Sequence, residues 1–297
     1  MKFKTYWDKK NTPFLILHGW GGSSESWKKV WEMLWKDFFV IIPDIPCAKG
    51  DKVINRNLGD KTRRLEEDKI GWQDKNRITG LKQDKNNKEK NNLSPKSPQI
   101  FSSPCDKVYT LDDYTDLIKS FIDELWLENF VLLWHSNGWA IASKLVINYP
   151  NLKIKKLILN NSAWIRKDRK RSLKRRVFWV IAKIVKPIFS LPWMWKVRNL
   201  FYRAIGGHDY LEAEKNPNKK QTYLNMINSD LQENYKDINI PTLLIWWEND
   251  TYTPLVDGQK IHNLIKNSKL VIIKDVRHGI HLQKPDELVK VILENNL

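Results

Sequence analysis

The chain has 297 residues, 41% of them apolar, with a formal net charge of +17, enough for one large α/β domain with an inserted subdomain and a sizeable core. No apolar run approaches the roughly 18–20 residues of a membrane-spanning helix. Residues 1–13 carry four Lys and no apolar stretch, so no signal peptide is expected and the cytoplasm is the expected location.

Taken in chain order, Phe14 to Leu17 reads as a short buried strand that runs into His18-Gly19. Ser24 to Trp35 has helical spacing with Ser23 or Ser24 as cap, and Phe38 to Ile42 is a second buried strand closed by Pro43-Asp44. From 48 to 105 the chain turns rich in Lys, Asn and Asp without a sustained period, which predicts a disordered surface insertion. Cys47 and Cys105 flank it and are the only cysteines. They are too few for a disulfide framework and not spaced as metal ligands, so free thiols are expected.

Order resumes at Thr110-Leu111-Asp112-Asp113, a helix start, with the helix running to about Leu127. Strand Phe130–Leu133, helix Asn137–Asn148 and strand Ile154–Leu159 follow. A mostly helical, basic block at 164–238 reads as a lid. The alternation then returns with strand Thr242–Trp246, helix Leu255–Ile265, strand Leu270–Lys274 and helix Pro285–Leu293. Strands separated by helices predict an α/β fold, a mainly parallel sheet with helices on both faces. The core is then 1–163 with 239–297.

The charge sits in the two insertions. Residues 165–207 hold 13 basic side chains against one acidic, and 48–107 hold 15 against nine, so the rest of the chain is close to neutral. That argues against a nucleic-acid-binding protein. The lid opens on Arg166, Lys167, Arg169, Lys170 and Arg171 and continues into an apolar stretch, Val177 to Val185. Such a helix could rest on an anionic membrane or hold an acidic ligand; alternatively its apolar face covers a pocket and its charges are solvated.

In a sheet of this kind catalytic groups sit in the turns that leave the carboxyl ends of strands. Four turns qualify: His18-Gly19-Trp20-Gly21-Gly22, Trp134-His135-Ser136-Asn137-Gly138-Trp139, Glu248-Asn249-Asp250, and Arg277-His278-Gly279-Ile280-His281. Their order, Ser then Asp then His, is that of a strand-to-helix nucleophile elbow. On these motifs the chain resembles the α/β-hydrolase superfamily over nearly its whole length apart from 48–105. It is most similar to small lidded hydrolases reading HGWGGSSxSW, GHSxGG and PTLLIWGxxD.

The resemblance implies a serine hydrolase acting on an ester or similar acyl bond of a small apolar molecule, without cofactor or metal. Ser136 would be the nucleophile, His278 its base and Asp250 the acid that orients the imidazole. Glu248 is the alternative acid; the turn after Leu159 offers only Asn160, Asn161 and Ser162. The backbone N–H groups of Trp20 and Asn137 would form the oxyanion hole, and His281 would support the site. The contrasting expectation is a catalytically inactive member of the fold that binds a partner or membrane through its basic lid.

The composition carries one anomaly: 15 Trp beside 12 Gly, when Gly usually makes up about 7% of a chain. Trp134 and Trp139 flank the elbow where small residues are required, Trp247 stands where the motif carries Gly, and Trp126, Trp164 and Trp193 occupy glycine-like places. This is the pattern expected if UGA codons that mean glycine are read as tryptophan. Trp20, Trp27 and Trp246 fit as true tryptophans.

Overall fold

The computed structural model describes residues 3–6, 10–47, 105, 107–161, 195–204, 208–229, 231–250, 253–274 and 279–295. The expected disordered insertion (except Cys105), the basic opening of the lid with Trp164 and Trp193, and His278 lie outside the described residues.

Seven strands form one sheet: β1 (Phe3–Tyr6), β2 (Thr12–Leu17), β3 (Phe38–Pro43), β4 (Phe130–His135), β5 (Ile154–Asn160), β6 (Thr242–Trp247) and β7 (Ser268–Ile273), in the order β1-β3-β2-β4-β5-β6-β7. Strands β2 to β7 pair in parallel. β1 runs antiparallel on the β3 edge, with Phe3 opposite Pro43 and Tyr6 opposite Val40.

Every residue of β4 and β6 is buried, as expected for strands covered on both faces, where continuous apolar runs replace alternation. Alternate side chains feed two cores. Leu15, Leu17, Leu132, Trp134, Leu157, Leu244 and Trp246 face one core, and Phe14, Ile16, Val131, Leu133, Ile158, Leu243, Ile245 and Trp247 face the other. The first core is closed by α2 (Leu111–Glu124) through Ile118, Phe121 and Ile122 and by α3 (Trp139–Asn148) through Ala142 and Leu145. The second is closed by α1 (Lys28–Leu34) through Val30 and Leu34 and by the last helix, Pro285–Glu294, through Leu288 and Ile292.

Helix α2 begins where the sequence places it, in a capping box. The Asp113 N–H donates to Thr110 Oγ1 at 3.1 Å and the Thr110 N–H donates to Asp113 Oδ2 at 2.8 Å. Hydrogen bonds from Thr110 hold the Asp113 carboxyl below the usual carboxylate range. The segment expected as one helix from Ser24 to Trp35 is a 3₁₀ turn, Ser24–Trp27, followed by α1.

Between β5 and β6 the described residues form α4 (Trp195–Ala204), α5 (His208–Ala213), α6 (Pro217–Asn228) and a 3₁₀ turn at Gln232–Asp237. Asn216 caps α6 by accepting the N–H groups of Asn218 and Lys219 at 2.9 and 3.2 Å, with Pro217 in its first turn. After β6 come α7 (Leu255–Leu264), then β7, the short α8 (Ile280–Gln283) and α9 (Pro285–Glu294). Among the described residues no helix is long and apolar enough to cross a membrane.

The two cysteines correct the free-thiol expectation. Cys47 and Cys105 are joined in a disulfide with their Cα atoms 4.8 Å apart, although 58 positions separate them in sequence. The end of β3 and the approach to α2 meet there. The Tyr114 hydroxyl donates to the Pro46 carbonyl at 3.0 Å and the Asn218 amide donates to the Cys105 carbonyl at 3.2 Å. Two more bonds fasten α6 to this approach: the Tyr109 N–H donates to Thr222 Oγ1 at 2.9 Å, and the Asn225 amide donates to the Tyr109 carbonyl at 3.0 Å.

Candidate active site

Strand β4 lies between β2 and β5 and is followed at once by Ser136, which has φ +58° and begins the 3₁₀ turn Ser136–Gly138 that enters α3. A left-handed φ is uncommon for a residue with a side chain and marks a turn held by its surroundings. Here the held turn lifts the serine out of a fully buried strand, leaving Ser136 partly exposed while His135 is 5% exposed. His135 is fixed through Nδ1, 3.1 Å from the Asn160 carbonyl on β5.

The loop after β2 lies directly against this turn. A β-carbon on Gly19 would fall 2.9 Å from Ser136 Cβ and 3.0 Å from the His135 carbonyl oxygen. A side chain there would have to push the loop off the turn. Gly21 has φ +72°, and the Gly22 N–H donates to the Gly19 carbonyl at 3.1 Å, so the loop curls on itself. His18 braces it from behind. Its Nε2 accepts the Ile45 N–H at 3.1 Å, which leaves Nδ1 to donate to the Gly19 carbonyl at 3.0 Å. Burial pushes the His18 imidazole below its ordinary range, which keeps it neutral for this paired role. Trp20 follows Gly19 in this loop, and Asn137 follows Ser136 in the elbow, so both expected oxyanion donors belong to the two turns that touch.

Asp250 leaves the carboxyl end of β6 and is 5% exposed, whereas Glu248 is exposed. The Asp250 carboxylate accepts the Thr253 N–H at 2.9 Å, the Thr253 hydroxyl at 2.7 Å and the amide of Asn161. His278 lies outside the described residues, in the connection between β7 and Gly279, whose φ is +119°. His281 is buried, stacked on Trp27 with ring centroids 4.5 Å apart and edge-on to His135 at 4.7 Å. It therefore supports the back of the elbow. Asn161, Thr253 and His135 join the site without having been expected in it from the sequence. Asn161 carried a usable signal, because it stands at a strand end in the same rim of the sheet.

The pocket beside the elbow is lined by Gly19, Trp20, Pro46, Tyr114, Trp134, Gly138, Ile141 and Met226, the last contributed by α6. Its walls are mainly apolar. Tyr223 on the same helix faces Trp20 with ring centroids 5.3 Å apart. Burial, with Asp209 adding to it, raises the Tyr223 phenol well above its ordinary range, so it stays neutral. Trp139 stacks on Tyr235 at 5.5 Å. Among the described residues no group of three or more His, Cys, Asp or Glu could hold a metal ion.

A serine held at a left-handed turn after a central parallel strand, under a glycine loop, with a buried carboxylate at the end of a strand two places along the same sheet, is the arrangement of a strand-to-helix elbow on a doubly covered sheet. The chain belongs to the alpha/beta hydrolase fold family, whose model matches residues 12–285. It is 23% identical over 202 residues to the AB hydrolase superfamily protein YisY of Bacillus subtilis, covering 63% of this chain and 73% of that protein. It is 25% identical over 197 residues to the uncharacterized hydrolase YugF of the same organism, covering 60% and 69%. A thermophilic esterase from Thermogutta terrifontis has a similar fold, with a TM-score of 0.60 at 17% identity over 99% of this chain and 91% of that one.

Proposed function

We propose that the protein is a serine hydrolase that cleaves an ester or similar acyl bond of a small apolar molecule through Ser136, His278 and Asp250. The observation that carries this reading is the elbow itself: Ser136 at φ +58°, with Gly19 packed against its β-carbon. A serine hydroxyl needs a base to take its proton, and His278 is that base. Asp250 orients the imidazole and stabilises the imidazolium as Ser136 attacks the carbonyl. The N–H groups of Trp20 and Asn137 receive the developing oxyanion. The alcohol leaves with the proton from His278, and water then hydrolyses the acyl-enzyme by the same route. The apolar lining of Trp20, Ile141 and Met226 supports an apolar acyl group, and hydrolases among the relatives and an esterase among the similar folds agree with the chemistry.

The test is hydrolysis of a panel of p-nitrophenyl esters by the parent chain and by the protein with glycine at 134 and 139, each beside its Ser136→Ala variant. Turnover that depends on Ser136, with covalent capture by a fluorophosphonate, is the expected result. Turnover equal in the Ser136→Ala variant, or none on any acyl substrate, would overturn it.

The second reading is a non-catalytic member of the fold whose basic insertion rests on a membrane or partner surface. Helix α4 favours it, because Val197 and Leu200 are 49% and 71% exposed beside the exposed Lys196. Co-sedimentation with anionic but not neutral vesicles, without Ser136-dependent turnover, would select it.

A further inference from the structure

Asp250 is not held by its own loop alone. Asn161, the first residue after β5, reaches across to it and is itself held at its backbone N–H and at both side-chain polar atoms. Its backbone N–H donates to the Ile245 carbonyl at 2.9 Å. Its Oδ1 accepts the Trp247 N–H at 3.1 Å. Its Nδ2 donates to Asp250 Oδ2 and, at 3.2 Å, to Thr253 Oγ1. A backbone N–H can only donate, so Oδ1 must face Trp247 and the NH₂ must face the carboxylate. The amide has one chemically consistent orientation.

Asn161, Thr253 and Asp250 are 0%, 4% and 5% exposed. Asn161 has φ +43°, a conformation that asparagine tolerates better than most residues. These donors reach both carboxylate oxygens and hold the group against rotation. An orienting acid must stay ionised and in one rotamer while the imidazole gains and loses its proton.

We infer that Asn161, together with Thr253, is a positioning residue for Asp250, clamping the carboxylate from the neighbouring strand so that it keeps one orientation toward the imidazole. The inference rests on the triad reading above.

The test compares Asn161→Gly, which suits the left-handed backbone but removes the amide, with Thr253→Val and Thr253→Ser. Rates on a p-nitrophenyl ester are followed across pH and normalised to the active sites titrated by a fluorophosphonate. Asn161→Gly and Thr253→Val are expected to lose about 10-fold in kcat, the weight of one hydrogen bond to a charged group, with KM little changed. The acidic limb of kcat/KM should move up by about half a pH unit, because a carboxylate with fewer donors holds the imidazolium more tightly. Thr253→Ser should stay near the parent.

A rate lowered equally at every pH, in step with the loss of titratable sites, would overturn the inference. If Asn161→Gly does not fold, Thr253→Val decides alone. A Ser136→Ala control keeps the two ideas apart. Turnover surviving in it sinks the triad, whereas a dead control beside parent-like profiles sinks only the positioning role.

Discussion

Trp134 and Gly138 compete for one space: a β-carbon on Gly138 would stand 0.8 Å from Nε1 of the Trp134 indole. The indole lies over the glycine at the elbow, where strand and helix backbones must approach closely, and lines the pocket that an acyl group would enter. Trp139 is buried on the other side of the turn, 3% exposed. Trp247 is fully buried in the second core. If these positions are glycine in the protein the cell makes, their codons are UGA, while Trp20, Trp27 and Trp246 are UGG. The protein with Trp134→Gly and Trp139→Gly should then hydrolyse p-nitrophenyl esters at least about 10-fold faster than the parent and lose no stability in urea. UGG at 134 and 139 would defeat the idea. In that case Trp→Gly in so packed a core should cost about 3–5 kcal/mol.

Trp126 tests the same idea away from the site. It follows Leu125, the C-cap of α2, at φ +52° and is 88% exposed. A left-handed residue just past a helix end is the usual place for glycine, which has no β-carbon to strain. Replacing Trp126 by Gly should stabilise the protein by about 1–2 kcal/mol and raise Tm by roughly 2–4 °C. A lower midpoint in thermal or urea unfolding would show that the indole contributes more than the strain removes.

The strands that carry the expected functional turns were legible in the sequence because they are buried on both faces. β2, β4 and β6 are apolar runs that end at His18, Ser136 and the turn before Asp250, so periodicity and turn residues located both strand and functional turn. β1 escaped, because Phe3–Tyr6 holds only four residues with a Lys among them and gains its place by edge pairing with β3. Asn161 escaped because a neutral amide at a strand end has no chemistry of its own until Asp250 is placed beside it. The disulfide escaped because spacing in the chain says nothing about proximity across 58 positions.

That disulfide makes its own prediction. Cross-linking residues so far apart removes chain entropy from the unfolded state, worth about 4 kcal/mol for a loop of this length. Cys47 and Cys105 are also buried, 0% and 3% exposed, so the bond is shielded from reductants while the protein is folded. The Cys47→Ser, Cys105→Ser double variant should unfold at clearly lower urea than the parent, and reductant should shift the parent toward it. Two thiols that react with a maleimide in the unreduced, unfolded protein would show the bond absent.

Gly19 offers the sharpest separation of chemistry from folding. An added methyl would meet Ser136 Cβ at 2.9 Å and the His135 carbonyl at 3.0 Å, neither of which is the free end of a flexible side chain. Gly19 is buried against the elbow but belongs to neither sheet core, so a shift of its loop can relieve the contact without unpacking them. In the proposed mechanism the shift would carry the Trp20 N–H away from the oxyanion. Loss of one such donor costs on the order of 10²–10³ in rate, so Gly19→Ala should reduce kcat by about that factor while KM and the unfolding midpoint stay close to the parent's. A variant that keeps its full rate would mean that the Gly19 loop takes no part in stabilising the oxyanion; one that fails to fold would mean that the contact with Ser136 is structural before it is catalytic.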